Sequence, residues 1–189
     1  MLSGCGGEQT GYHVGRWELL RTPGTVASRS GFILDIRPSG RFTEYFVADA
    51  SETAVQKGRY KVAQETATYT EITIKSKGSP VPSPFRAYDS VLINYTQIGT
   101  FRRTAADTAP SGSDVPFGTW EFPGDGRLLI INDDGTLSIG GEDHYTYVKN
   151  GGAYIVTDTI TGKAKHVFCA DGDTLDVLSG DVYVRVNAG

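Results

Sequence analysis

Few residues in this chain have the type and spacing to do chemistry. The histidines are His13, His144 and His166, and no pair of them has the spacing of a helical zinc site or of a finger. His166 and Cys169 stand three apart, which on a strand sends them to opposite faces and argues against a shared metal. Asn132-Asp133-Asp134-Gly135 and Asp171-Gly172-Asp173 carry carboxylates but lack the alternating ligands and distal Glu of an EF-hand loop, so they read as hairpin turns. Glu142-Asp143-His144 could exchange protons, yet no nucleophile stands at a motif position beside it. No Gly-x-Ser-x-Gly elbow, phosphate loop or dinucleotide fingerprint occurs. The expectation is a non-enzymatic protein with no catalytic residues, no metal and no cofactor.

Composition points to strands. The 189 residues include 24 Gly, 10 Tyr and 8 Phe against a single Met, a bias towards β-structure and tight turns. The formal net charge is −4, and Lys and Arg are dispersed along the sequence, without the basic stripe that phosphate backbones require, so nucleic acid is not an expected partner. No run approaches the ~20 apolar residues of a spanning helix.

The chain opens Met1-Leu2-Ser3-Gly4-Cys5-Gly6-Gly7. Leu-Ser-Gly-Cys resembles the lipobox of bacterial lipoproteins, where small residues ahead of the cysteine let a signal peptidase seat an extended backbone. The charged start and apolar core of a signal peptide are missing ahead of it. The resemblance implies lipidation at Cys5, residues 1–11 as a lipobox remnant and tether, and membrane attachment through a lipid anchor only. It also implies an extracytoplasmic place in the bacterial cell envelope, at the outer membrane in a Gram-negative host, because Gly6 rather than Asp follows the cysteine. Cys169 is then expected to be a small core residue.

Four landmarks recur in the same order. Gly15-Arg16-Trp17, Pro38-Ser39-Gly40-Arg41-Phe42, Gly58-Arg59-Tyr60 and Phe101-Arg102-Arg103 are matched by Gly118-Thr119-Trp120, Asp133-Asp134-Gly135-Thr136-Leu137, Gly152-Ala153-Tyr154 and Tyr183-Val184-Arg185. We therefore expect an all-β protein of two tandem small antiparallel meander barrels or sandwiches. The first β module covers 12–104, the linker 105–114 and the second module 115–189. Apolar residues alternate with a period of two, as in Phe32, Leu34 and Ile36. Gly124-Asp125-Gly126, Asp134-Gly135, Asn150-Gly151, Thr161-Gly162, Asp171-Gly172 and Ser179-Gly180 are read as turns. Ser79 to Pro84 reads as an inserted loop, since proline is excluded from central strands. One larger sheet shared by both halves is the alternative architecture.

A Gly-x-Trp opening, successive hairpins, a Gly-x-Tyr and an aromatic-x-Arg ending together resemble the lipocalin-like (calycin) pattern. The resemblance implies that each tryptophan plugs one barrel end under an arginine of the last strand, Trp17 with Arg103 and Trp120 with Arg185, as structural barrel-closure residues rather than ligand contacts. The expected partner is a small apolar ligand or an envelope component. The alternative is a structural or protein-interaction lipoprotein with filled barrels, docking an envelope protein through exposed loops. A cavity above about 300 Å³ would separate the two. Tyr45, Phe46, Tyr60, Tyr69, Tyr88, Tyr95, Tyr145 and Tyr147 could line such a cavity, but are expected mainly to stabilise the sheet as cross-strand pairs.

Overall fold

The computed structural model describes residues 11–20, 31–49, 51–103 and 116–185, apart from the side chains of Phe101, Arg103 and Arg185. Cys5 and the 105–114 linker lie outside the described residues, as does the tether apart from Gly11. The described chain is all-β. In the first half the strands are β1 (Gly15–Leu19), β2 (Gly31–Arg37), β3 (Arg41–Ala48), β4 (Ser51–Glu65), β5 (Thr70–Lys75), β6 (Ser83–Ala87) and β7 (Val91–Arg103). In the second they are β8 (Gly118–Glu121), β9 (Leu128–Ile131), β10 (Thr136–Ile139), β11 (Glu142–Asn150), β12 (Ala153–Asp158), β13 (Lys163–Asp171) and β14 (Thr174–Arg185). Each strand pairs antiparallel with the next, and β14 returns to pair with both β1 and β7.

Those last two pairings decide the architecture. Strands β1 to β7 with β14 form one closed ring of eight, and β7 to β14 form another, so the two rings share a single β7–β14 ribbon. Among the described residues every strand of each ring has a neighbour on both sides. The sheet is thus continuous across both halves: β14 from the second half completes the first ring, and the far end of β7 pairs with β8 in the second.

One face of the ribbon serves both interiors. Leu92 and Tyr183 point into the first ring's core with Trp17, Ile36, Phe42 and Ile72, while Leu175 packs in the second with Trp120, Leu129, Leu137 and Phe168. Between Tyr95 and Gln97 the β7 register skips Thr96, a bulge opposite Gly180 and Ser179. The extra residue reverses the alternation of β7, so Leu92 and Asn94 line the first ring and Gln97 and Gly99 the second. The opposite face carries Ile93, Leu178 and Val182 into a third cluster with Tyr88, Ile155 and Val167, where the outer faces of the two rings meet. Arg86, 5% exposed, reaches across this junction: its guanidinium donates to Glu71 (3.2 Å) and to Asp176 (2.8 Å) and sits 4.2 Å from the centre of the Tyr69 ring.

Several contacts repeat between the halves. Trp17 Nε1 donates to the His13 carbonyl (2.9 Å) and Trp120 Nε1 to the Pro116 carbonyl (2.8 Å), each four residues back, and both indoles are fully buried. The glycine two residues before each tryptophan has positive φ, 145° at Gly15 and 121° at Gly118, a backbone that L side chains disfavour. Tyr60 donates its backbone N–H to the Gly40 carbonyl and its hydroxyl to Arg37; Tyr147 does the same to Gly135 and Asn132. Each tyrosine clasps the turn that precedes its own hairpin.

The structure corrects four expectations. The counterpart of Tyr60 is Tyr147, not Tyr154, because Gly152 falls in the β11–β12 hairpin rather than in a strand. Ser179-Gly180 is no turn but lies inside β14, where a Cβ on Gly180 would collide with the Asn94 carbonyl oxygen. Pro84 belongs to β6, paired with Thr73 just ahead of the point where β7 joins at Phe85. And the ladder sets Arg185 opposite Trp17 and Arg103 opposite Trp120, the reverse of the expected pairing, because each ring is closed by the last strand of the other half. Whether a guanidinium rests on either indole turns on side chains outside the described ones.

Gly180→Ala should lower stability by about 1–3 kcal/mol, the range for forcing atoms into a packed site, in urea unfolding. Because the ribbon closes both rings, the loss should appear as one transition reported equally by Trp17 and Trp120 fluorescence in single-tryptophan variants. Tyr147→Phe, which removes only the clasp hydroxyl, should cost about 1 kcal/mol in the same measurement.

Candidate functional site

The sequence-level candidates for chemistry disperse. Among the described residues no group of three or more His, Cys, Asp or Glu could hold a metal ion. His13 is buried, edge-on to the Tyr60 ring with Nε2 3.1 Å from the Tyr60 hydroxyl, and burial lowers its pKa. His144 lies 3.6 Å from exposed Glu142 at the start of β11, and Glu142 accepts from Tyr145. Asp134 accepts from the backbone N–H and hydroxyl of Thr136, an ordinary turn-closing arrangement. Cys169 is half-buried against the third cluster, its thiol 3.5 Å from the Gly152 carbonyl.

The two ring interiors differ. The first is filled by Phe42, Phe85, Tyr183 and its aliphatic neighbours, leaving a void of about 170 Å³ beside Glu44, Gln56 and Asn94. Burial raises the Glu44 pKa there. The second opens at one end into a cavity of about 460 Å³, bounded by Gln97, Gly99, Phe122, Ile139, His166 and Val177, with Ile98, Ser179 and Arg127 also lining it.

Local sequence explains that opening. Gly99 contributes no side chain, and Val177 and Ser179 are small, so three ribbon positions that face the interior leave it unfilled. Alternation along β13 turns His166 inward with Phe168 while Val167 and Cys169 face the third cluster. At the rim, Arg127 is fixed by Asp125 (2.7 Å) and lies 5.6 Å from the centre of the Phe122 ring.

The polar part of the cavity is uncharged at neutral pH. His166 Nδ1 lies 2.7 Å from the Ser179 hydroxyl oxygen. Burial, with a smaller contribution from Lys165, pulls the imidazole pKa from 6.5 down to about 4, so the ring is neutral under ordinary conditions. Tyr145 stands edge-on to the ring at 6.0 Å. The arrangement offers hydrogen bonds from His166, Ser179 and Gln97 above an apolar wall, which suits an amphiphilic or apolar small molecule. Of the aromatics singled out from sequence, none lines this cavity; Tyr69, Tyr88 and Tyr95 belong to the inter-ring junction and Tyr60 and Tyr147 to the turn clasps. Sequence reasoning missed Gln97, Gly99 and Ser179, and the only available signal was the Ser179-Gly180 pair read as a turn.

Compared with known protein families, curated proteins and solved structures, the chain matches none of them.

The depressed His166 pKa fixes a sign. The unfolded chain takes up a proton near pH 6.5 and the native ring only near 4, so stability is full above about pH 6.5 and is lost as pH falls towards 4. His13 acts in the same direction. Urea midpoints measured across that window should fall more for the native sequence than for His166→Gln; parallel curves would refute the assignment.

Proposed function

We propose that this protein is a non-enzymatic binder of a small apolar or amphiphilic molecule, and that its site is the cavity of the second ring. The observation that carries the reading is the cavity itself: about 460 Å³, within the roughly 300–1,000 Å³ range of small-molecule sites. Its wall of Phe122, Ile139 and Val177 supplies the apolar contact, and neutral His166 with Ser179 and Gln97 supplies orientation for a hydroxyl, carbonyl or amide head. A charged head would find its counter-ion only at the rim, where Arg127 is already paired with Asp125. The His166–Ser179 contact resembles part of a nucleophilic dyad, but His166 has no hydrogen-bonded carboxylate to orient it among the described residues, so we read it as a binding element.

The finer parts of the reading rest on the sequence. The recurring indole, turn-glycine and tyrosine contacts support a common origin of the two seven-strand halves and a lipocalin-like ancestry for each. The Leu-Ser-Gly-Cys box supports tethering through Cys5 outside the cytoplasm, which would hold the cavity near the envelope, where apolar ligands concentrate.

Thermal unfolding with a panel of long-chain alcohols, amides and fatty acids tests the proposal. A true ligand at about 100 times its Kd stabilises by about 2.7 kcal/mol, and neutral head groups should outperform carboxylates of equal length. Gly99→Leu, which fills the cavity, should abolish the shift. A panel that leaves the midpoint unmoved, or shifts that persist in Gly99→Leu, would overturn it.

A further inference from the structure

Cations that are dispersed in the sequence are gathered by the register of the first ring. Arg37 lies directly opposite Arg41, Arg41 opposite Arg59 and Arg59 opposite Lys75, so four cations form one row across β2, β3, β4 and β5. Lys57 and Lys61 flank Arg59 on the same face of β4, and all six side chains are exposed. Buried Ile36, Phe42 and Ile74 on the intervening positions fix the row on the outside of the ring.

The row has no structural excuse. Like charges directly opposite one another weaken a strand pair, and here three successive pairs carry the penalty. Of the carboxylates nearby, Asp35 relieves the row at one end, at Arg37, and the others are engaged elsewhere. Asp35 pairs with Arg37 at 3.1 Å, Glu52 is taken by Arg16 at 2.6 Å, Glu71 holds Arg86 and the Tyr95 hydroxyl, and Glu44 borders the void inside the ring. Arg41, Lys57, Arg59, Lys61 and Lys75 have no ion pair among the described residues. Beside the row the surface is concave: Arg37, Arg41, Lys57 and Arg59 border a groove of about 450 Å³ that buried Thr43 and half-buried Tyr45 also line.

We propose that this face binds a linear anionic saccharide, a chain of uronate- or phosphate-bearing sugars laid across β2 to β5. Adjacent strands stand about 4.8 Å apart, so the row presents one cation roughly every 5 Å, close to one sugar's length. Three of its four cations are arginines, which grip carboxylate and phosphate oxygens in pairs. A bilayer is flat and would meet only the edges of a concave groove. Bases would need an open aromatic platform, and the groove's Tyr45 ring is half-buried with the Arg16 guanidinium 5.9 Å from its centre. The net charge of −4 also sets the rest of the protein against an extended polyanionic surface. The site is separate from the second-ring cavity and stands whether or not that cavity binds a ligand.

Titration calorimetry of the full chain with oligogalacturonate and with phosphorylated mannan separates the carboxylate source from the phosphate source; neutral dextran, phosphatidylglycerol vesicles and single-stranded DNA are the comparisons. We expect one or both anionic saccharides to bind, affinity to fall with added salt, and Arg41→Ser and Arg59→Ser each to weaken binding by roughly tenfold or more, as for loss of a charged hydrogen-bonding group. Both variants should unfold at the same temperature as the native chain or higher, because each removes a like-charge contact. The proposal is overturned if neither saccharide binds, if vesicles or DNA bind in their place, or if the two variants bind as tightly as the native sequence.

Discussion

The pairing of β7 with β14 is the constraint on which everything else rests. It runs without a break in pairing from Val91 to Arg102, bar one bulged residue, and it closes two rings at once. Without it the fourteen strands would form one wide ring, and Trp17 and Trp120 would lose the walls that bury them. The bulge at Thr96 is as necessary as the hydrogen bonds. A strictly alternating β7 that placed Leu92 inside the first ring would turn Gln97 and Gly99 away from the second. Gly180 is its complement, the residue that lets the partner backbone approach closely enough for the register to skip.

The same ribbon explains why one ring is filled and the other is open. In the first ring it contributes Leu92 and Tyr183, large enough to meet Phe42 and Phe85. In the second it contributes Gly99, Val177 and Ser179 near the mouth, with Leu175 deeper among the aromatic residues. A histidine placed where water is scarce loses its charge, so the polar corner of that cavity is a hydrogen-bonding surface rather than an ionic one. The cavity wall is built by both halves of the chain, Gln97 and Gly99 from one, His166 and Ser179 from the other.

Much of this was legible in the sequence, because period-two alternation and glycine turns are local signals. Gly126, Gly135, Gly151, Gly162 and Gly172 all adopt the positive φ that the turn reading requires. The recurrence of tryptophan and glycine was also readable, since those residues answer to local backbone geometry. What failed was long-range. Nothing near Trp17 announces that its ladder partner is Arg185 rather than Arg103, because a strand signal carries no address for its neighbour. Tyr154 was matched to Tyr60 because both follow a glycine by two, yet only a hydrogen-bond partner, the turn carbonyl, distinguishes Tyr147 as the equivalent. The cavity and the cationic row are likewise products of register, which converts scattered residues into a lining or a stripe only once strands are aligned.

The exchange of closing strands has a consequence for biogenesis. Since β14 is the element that seals the first ring against β1, the first seven strands leave the ribosome as an incomplete cylinder and must wait for the second half to be synthesised. During that interval the flanks of β1 and β7 are a template for any complementary strand, including the β14 of a neighbouring nascent chain, so crowded synthesis would favour interlocked pairs of molecules. Chaperoned passage of the whole chain before folding would remove that hazard.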